Sequence, residues 1–364
     1  MAGDLLHRGV MRFLGSVRDV WRRPRRRPRY ALALAGGGII GGMYEVGAMA
    51  ALEERLGGPC AFDVYVGCSA GSVVAALLAS GIPAGEIYRV LDQDLDDPLN
   101  FRRGTLFAVD AWRRAWTRFG RLLWVLGKHS LRGGTCIPDV LARAEGQLPS
   151  GFFSLVSLEA FMRRGLASRG RPNEFAALQP TLLVPAVDLD TAERAVFGVE
   201  PLRDVPISQA VAASSAIPGF FDPYRINGRN YVDGGVGFCG HADLAAEAGA
   251  EVVFVVNPLV PTLVTDGLTL GARGIYTILE QASRIYSQNL LTLGLTALSA
   301  RFPRTRFFLL QPPRSAAALF GPSMGFEASR AALRFGCASA REWLDAQGAP
   351  LLERLLPRPV AATV

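Results

Sequence analysis

The sequence predicts an α/β protein of three layers, in which helices cover both faces of a mostly parallel central sheet. Short apolar runs bounded by turn residues recur along the chain and are typical of buried strands. Helical patterns follow the first two of these runs directly, as they do in βα units. With 364 residues, the chain is long enough to form one large domain of this class with an insertion.

The first βα unit lies in YALALAGGGIIGGMYEVGAMAALEE, residues 30–54, where a short strand, a glycine-rich turn and a helix are expected. The second unit joins AFDVYVG, residues 61–67, to the small-residue helix SVVAALLASG, residues 72–81. Later elements are predicted at TLLVPAVDL (181–189), around Val196, at EVVFVV (251–256), at RFFLLQ (306–311) and, as a helix, over residues 327–346.

Composition predicts three parts in the chain. Residues 1–29 form a basic arm, residues 30–346 the main domain, and residues 347–364 a loose tail. Within the main domain, residues 85–180 have the character of a helical insertion rich in Arg and Trp. Its aromatic residues are expected to pack in the core or to line a lid: Trp112, Trp116, Phe119 and Trp124.

The positive charge is concentrated in the arm. The net charge is +7, and residues 1–30 hold nine arginines and two aspartates, so the rest of the chain is neutral. Apolar residues in Leu5–Trp21 recur at helical spacing with arginines between them, and the proline- and arginine-rich segment 21–29 follows. The arm is expected either to bind an anionic membrane surface or to dock on the body, and a nucleic-acid-binding body is not expected.

Several classes of protein are excluded by composition. With 20% charged residues the chain is too polar for a multi-span membrane protein. The five cysteines form no C-x-x-C pair or metal cluster and their number is odd, so a reducing compartment is favoured. Ala33-Leu34-Ala35 has the pattern of a secretion-signal cleavage site, but cleavage there would remove a predicted strand, so no cleaved signal is expected. The expected location is cytoplasmic, with peripheral membrane association. One lysine against 38 arginines suggests a bacterial genome rich in G and C.

The glycine turn of the first βα unit is predicted to hold negative charge, since glycines allow close approach of backbone N–H groups at a helix N-terminus. A dinucleotide, a phosphate such as a lipid head group, or a transient oxyanion would each fit. Gly36, Gly38 and Gly41 have dinucleotide-binding spacing. The second strand ends without the acidic residue that would bind ribose, which disfavours the dinucleotide.

Gly67-Cys68-Ser69-Ala70-Gly71 is a G-x-S-x-G motif between a strand and a helix. A nucleophile elbow needs this context, because small residues two positions either side of the serine permit a tight turn that exposes its hydroxyl. The alternative is a structural strand–helix turn with a capping serine. A base for Ser69 could come from His129, His241 or Asp233, and Asp233 follows a short predicted strand in NGRNYVDGGV.

Taken together and in order, the glycine turn at 36–41, the serine motif at 67–71 and Asp233-Gly234-Gly235 resemble the patatin-like phospholipases. The resemblance covers roughly residues 30–310 and implies a patatin-like fold and cleavage of lipid acyl esters without a metal or cofactor. It implies a catalytic dyad of Ser69 and Asp233.

The resemblance also implies an oxyanion hole from Gly36, Gly37, Gly38 and Ala70, supported by Gly67, Gly71, Gly234 and Gly235. Many members carry Arg or Lys where this chain has Ile40, so a weakly active or inactive lipid-binding scaffold is the alternative function.

Overall fold

A computed structural model describes residues 28–101, 150–237, 240–263, 274–315 and 328–355, together with isolated residues within 116–128 and 319–326. The strands are β1 Tyr30–Leu34, β2 Val64–Gly67, β3 Thr181–Asp188, β4 Glu193–Phe197, β5 Tyr224–Ile226, β6 Arg229–Asp233, β7 Val252–Val256 and β8 Arg306–Leu310. The helices are α1 Gly38–Leu56, α2 Ala70–Ala79, α3 Ala84–Asp92, α4 Val156–Ser168, α5 Ile207–Ser214, α6 Ala242–Glu247, α7 Ile275–Arg301, α8 Ser329–Ala346 and α9 Ala349–Leu355. A 3₁₀ turn spans Phe175–Ala177.

The strands form one mixed sheet in the order β5-β6-β3-β2-β1-β7-β8, with β4 paired to β3 outside this path. The pairs among β3, β2, β1, β7 and β8 are parallel, whereas β4, β6 and β5 join by antiparallel pairs. The sheet is therefore mostly parallel at its centre, as the sequence predicts, and its antiparallel part lies beyond β3.

Side chains of β1 alternate between two hydrophobic clusters, one on each face of the sheet. Leu32 and Leu34 belong to the larger cluster, which includes residues of α1, α2, α3, α4 and α8. Ala31 and Ala33 belong to the smaller cluster, which includes residues of α6 and Leu291 of α7. Helices thus cover both faces, and the predicted three-layer architecture is confirmed.

Helices α1 and α8 pack at very short range. A Cβ added to Gly47 would overlap Leu333 O, and one added to Gly336 would overlap Tyr44 O. Tyr44 is fully buried, and its hydroxyl lies 3.1 Å from Ser339 Oγ. This close crossing fixes α1, the helix that follows the glycine turn.

The predicted boundaries of the parts need three corrections. Arg29 belongs to the body, because its carbonyl accepts Glu251 N–H at 2.9 Å and its guanidinium donates to Ala248 O. The first part of the predicted tail forms α9, where Leu351 is fully buried. Both ends of the predicted insertion belong to the core, since α3 and α4 bury residues such as Ile87 and Phe161.

Of the four aromatic residues singled out in the insertion, three lie on the surface. The exposed fractions of Trp116, Phe119 and Trp124 are 66%, 42% and 62%, so the expectation of core packing is wrong for them. Trp112 lies outside the described residues, as do the arm helix, His129 and residues 356–364.

Among the described residues, no helix has the length and apolar composition needed to cross a bilayer. Cys60, Cys68 and Cys337 do not form disulfide bonds within the described part of the chain.

Candidate active site

Two strands bring the predicted nucleophile and base together on β3. The parallel strand β2 pairs with the start of β3, with Val66 opposite Leu183. The antiparallel strand β6 pairs with the end of β3, with Asp233 opposite Ala186. Because the two strands run in opposite directions along β3, their carboxyl ends converge, and Ser69 and Asp233 meet there.

Ser69 occupies the turn between β2 and α2 in a strained conformation. Its φ of 54° and ψ of −129° are unfavourable for a residue with a side chain and cost on the order of 1–3 kcal/mol. Gly71 is required at this turn because an added Cβ would lie 2.6 Å from Leu34 O, and a Cβ on Gly67 would collide with Gly71 and Ala75. Ser69 is the N-cap residue of α2, so the positive end of that helix adjoins its hydroxyl.

Asp233 is a buried carboxylate with few partners. Gly235 N–H donates to Oδ1 at 2.8 Å, and the Cys68 thiol lies 4.0 Å from the same oxygen. Burial raises the pKa of Asp233 to about 6, although hydrogen bonds from Ser69 and Gly235 oppose that rise. Oδ2 has no partner of normal hydrogen-bond geometry within the described residues, so it can accept a proton.

The supporting glycines of the aspartate loop have separate roles. A Cβ on Gly234 would overlap Pro185 O and would lie 3.1 Å from Cys68 Sγ. Gly234 therefore lets the loop approach β3 and the serine turn, whereas Gly235 provides the N–H that binds Asp233.

The glycine turn between β1 and α1 lies against the serine turn. Gly36, Gly37 and Gly38 all have positive φ, and a Cβ on Gly36 would overlap Cys68 O. Within the described residues, no hydrogen bond uses the N–H of Gly37, Gly38 or Ala70. Three donors without partners therefore lie in the two turns that meet at Ser69.

Gly36 differs from the expected oxyanion donors. Its N–H donates to Glu45 Oε1 at 2.7 Å, so this donor is already engaged. Gly36 is needed for the close approach of the two turns, and its assignment as an oxyanion donor is corrected for that reason.

An apolar cavity of about 710 Å³, counting its open mouth, adjoins Ser69. Gly38, Ser69 and Ala70 line it together with apolar side chains of α1, α2, α3 and α4, among them Val46, Leu77, Ile87 and Phe161. Because its lining is apolar, the cavity suits a hydrocarbon group attached to a centre at Ser69.

His241 supports the aspartate loop. It is the N-cap residue of α6 and is buried, and its Nε2 lies 2.9 Å from Gly234 O. Burial, with Arg194 nearby, lowers the pKa of His241 to about 4, so its imidazole is neutral at pH 7. Its contact with Gly234 places it behind the aspartate loop rather than between Asp233 and Ser69.

Ile40 is 2% exposed and packs in the larger hydrophobic cluster. A side chain at this position therefore faces the core of the protein. The apolar residue suits this environment.

Two residues that sequence reasoning missed contribute to the site. Ser214 Oγ accepts Ser69 N–H at 3.0 Å and donates to Pro185 O at 2.6 Å, which ties the serine turn to β3. Glu45 binds the glycine turn. The segment SQAVAASSAIPG contains several serines of similar context, and no motif distinguishes Ser214 among them.

The arrangement has the parts that acyl transfer requires: a serine hydroxyl, a buried carboxylate beside it and free backbone N–H groups at the same point. No cluster of His, Cys, Asp or Glu suited to a metal ion occurs in the part of the chain that the structure describes.

A family model described as patatin-like phospholipase matches residues 32–238, which is more than half of the chain. The match contains the glycine turn, the serine turn and the aspartate loop.

Individual relatives are more distant. The chain is 25% identical over 213 residues to the probable lipid hydrolase 463L of Invertebrate iridescent virus 6, covering 58% of this chain and 61% of the relative. It is also 25% identical over 215 residues to a cGAMP-activated phospholipase of Pseudomonas aeruginosa, covering 57% and 52%. The chain thus spans between half and two thirds of the length of these curated relatives.

Among solved structures, VipD from Legionella pneumophila aligns over 88% of this chain and 67% of its own, with 17% identity and a TM-score of 0.37.

Proposed function

Because the chain belongs to the patatin-like phospholipase family, we propose that it hydrolyses lipid acyl esters with Ser69 as nucleophile and Asp233 as its base. The single observation that carries this proposal is the convergence of β2 and β6 on β3, which places a strained serine beside a buried carboxylate. Such a pair can perform acyl transfer without a histidine when the carboxylate is shielded from water.

In the first half of the reaction, Ser69 Oγ bonds to the carbonyl carbon of the ester while its proton passes to Asp233. The carbonyl oxygen becomes an oxyanion, which accepts hydrogen bonds from the N–H groups of Gly37, Gly38 and Ala70. When this intermediate collapses, the bond to the alcohol breaks and the alcohol takes the proton from Asp233. The acyl group is then held on Ser69.

In the second half, Asp233 takes a proton from water as the water oxygen attacks the acyl carbon. Collapse of the second oxyanion releases the fatty acid, and the proton returns to Ser69. The charge in both steps exists only in transition states and intermediates, which is where preorganised N–H groups accelerate a reaction.

The substrate class follows from the cavity. Its walls near Ser69 are apolar, so they favour a hydrocarbon chain over a polar acyl group. The basic arm, predicted from sequence at residues 1–29, would bring the protein to an anionic lipid surface and raise the local substrate concentration.

Hydrolysis of a soluble chromogenic ester and of phospholipid vesicles by purified protein tests the function. Ser69→Ala and Asp233→Asn are expected to reduce kcat by at least about 10⁴-fold. Ser80→Ala and Asp63→Asn are matched controls, because Ser80 caps the far end of α2 and Asp63 precedes β2. Turnover that survives Ser69→Ala would favour the alternative, a patatin-fold lipid-binding scaffold.

A further inference from the structure

Glu45 is a buried carboxyl group in direct contact with the glycine turn. It lies two turns into α1 and is completely inaccessible to solvent. Its Oε1 accepts Gly36 N–H at 2.7 Å, and its Oε2 has no hydrogen-bond partner within the described residues. A buried carboxyl group with one hydrogen bond costs stability, so its presence calls for a functional explanation.

The glycine turn depends on contacts from outside it, since its own backbone bond joins only Gly41 N–H to Gly37 O at 3.1 Å. Three successive glycines with positive φ have no side chains to pack, and each has a wide choice of backbone conformations. Around them, Ala35 N–H donates to Val256 O at 3.1 Å, and Leu259 packs beside Gly37. Gly36 is held by Glu45, immediately before the two glycines whose N–H groups have no partner within the described residues.

We propose that Glu45 is the positioning residue of the oxyanion hole, acting through the hydrogen bond from Gly36 N–H to its carboxyl oxygen. The proposal rests on the proposed function, since it assigns the free N–H groups of Gly37 and Gly38 to the oxyanion. The acceptor fixes the peptide that joins Ala35 and Gly36, and the next two N–H groups then remain directed toward the carbonyl oxygen of the ester attacked by Ser69. Glu45 itself does not contact the substrate.

The acceptor works without a negative charge. Burial raises the pKa of Glu45 to about 8, although the bond from Gly36 opposes this rise, so the carboxyl is largely neutral at pH 7. A neutral acceptor beside the turn does not oppose the negative charge that develops on the substrate. Glutamine, which keeps a carbonyl oxygen at the same position, is therefore its closest mimic.

The test compares Glu45→Gln with Glu45→Leu on a soluble ester. Glu45→Gln is expected to keep kcat within about threefold of the wild type, because the acceptor is kept. Glu45→Leu is expected to lower kcat by about 10²-fold with KM changed by less than about twofold, since small displacements of preorganised groups have effects of that size. A purely structural role would instead lower the amount of folded enzyme and leave kcat per folded molecule unchanged.

Glu53 provides the matched control on the same helix. It is also a largely buried glutamate that accepts backbone N–H groups, from Gly85 at 2.9 Å and Cys60 at 3.4 Å, but it does not contact the glycine turn. Glu53→Leu is expected to affect stability and to leave kcat within about threefold of the wild type.

Hydrogen exchange of a peptide that contains Gly36 gives a second readout, which does not depend on turnover. Exchange is expected to be at least about tenfold faster in Glu45→Leu than in Glu45→Gln or Glu53→Leu, because a buried hydrogen bond is lost. If Glu45→Leu does not fold, Glu45→Asp withdraws the acceptor by one methylene and is expected to lower kcat and speed exchange in the same direction.

The proposal is overturned if folded Glu45→Leu keeps wild-type kcat, or if Glu45→Gln is as impaired as Glu45→Leu. Failure of the proposed function has a different signature: the wild type would then lack turnover that depends on Ser69. Exchange at Gly36 would still decide whether Glu45 holds the turn.

Discussion

At the scale of single residues, Asp233 combines a cost in stability with a function in proton transfer. Burial raises its pKa to about 6, well above that of an aspartate in an unfolded chain. As a base it must be ionised, so kcat/KM on a neutral soluble ester is expected to fall tenfold per pH unit below about pH 6. A rate profile measured from pH 4 to pH 9 checks this, and a plateau that continues down to pH 4.5 would contradict it.

The raised pKa of Asp233 also predicts a change in stability with pH. Between roughly pH 4 and pH 6 the folded state binds more protons at Asp233 than the unfolded state does, so the stability contributed by this group falls as pH rises through that window. Asp233→Asn removes the effect, and each pH unit that separates the folded and unfolded pKa values corresponds to about 1.4 kcal/mol. The unfolding free energy of the variant relative to the wild type is expected to rise from pH 4 to pH 6 and to stay level above.

The residues of the site differ in how far the sequence could predict them. Ser69 and Asp233 lie in motifs whose neighbours are glycines required by the turns, and these glycines are visible in the sequence. Ser214 contacts Ser69 from 145 residues away in the sequence, and Glu45 reaches back nine residues to Gly36, so the sequence spacing around neither residue marks its contact. The engagement of Gly36 could not be predicted for the same reason, because its partner is a side chain on the next helix.

At the scale of elements, α2 forms one wall of the cavity from Ser69 inward. Leu77 lines the cavity two turns after Ser69, about 12 Å along the helix. Leu77→Phe is expected to shorten the space for an acyl chain and to lower kcat/KM for a palmitate ester by at least about tenfold, with little effect on a butyrate ester. The ratio of the two rates is the measurement.

Leu78→Phe is the control for this change. Leu78 is also buried, is adjacent on α2 and does not line the cavity. Its enlargement is expected to cost stability by about 1–3 kcal/mol without altering the ratio of long-chain to short-chain rates. Equal ratios in Leu77→Phe and the wild type would show that the acyl chain does not occupy the cavity.

Elements with a simple hydrophobic pattern are predictable from the sequence, whereas elements such as β5 and α7 are not. The central strands β1, β2 and β7 are continuous apolar runs because helices cover both of their faces, and β8 is a partly buried apolar run at the edge of the sheet. Strand β5 has three residues, which is too short for a pattern. Helix α7 buries Leu291 yet exposes Leu279, Tyr286 and Leu293, so its apolar residues are not confined to one stripe and the sequence pattern does not predict it.

At the scale of the whole molecule, the net positive charge lies in the arm, whereas the body is neutral. Within the body, charged side chains form ion pairs between elements that are distant in the sequence. Examples are Arg169 with Glu86 and Asp97, and Arg334 with Asp92. The arm carries an excess of arginines, which an anionic lipid surface would attract. The attachment of Arg29 to the body sets the point at which the arm can be removed.

Deletion of residues 1–27 is expected to weaken association with vesicles that contain phosphatidylglycerol by at least about tenfold, since each basic residue near such a surface contributes about 1 kcal/mol. Turnover of a soluble ester is expected to stay within about twofold of the wild type, because Arg29 and all residues of the site remain. Vesicle sedimentation and ester hydrolysis by the same preparations provide the measurement.

A variant that replaces Arg22, Arg23, Arg25, Arg26 and Arg27 with glutamine separates charge from length. If attraction to the lipid charge binds the arm, this variant behaves like the deletion, and added salt weakens binding of the wild type far more than that of either variant. Should the glutamine variant bind like the wild type while the deletion does not, the apolar residues of Leu5–Trp21 would carry the contact. Undiminished binding by the deletion would place the lipid contact on the body and remove the arm from the proposed function.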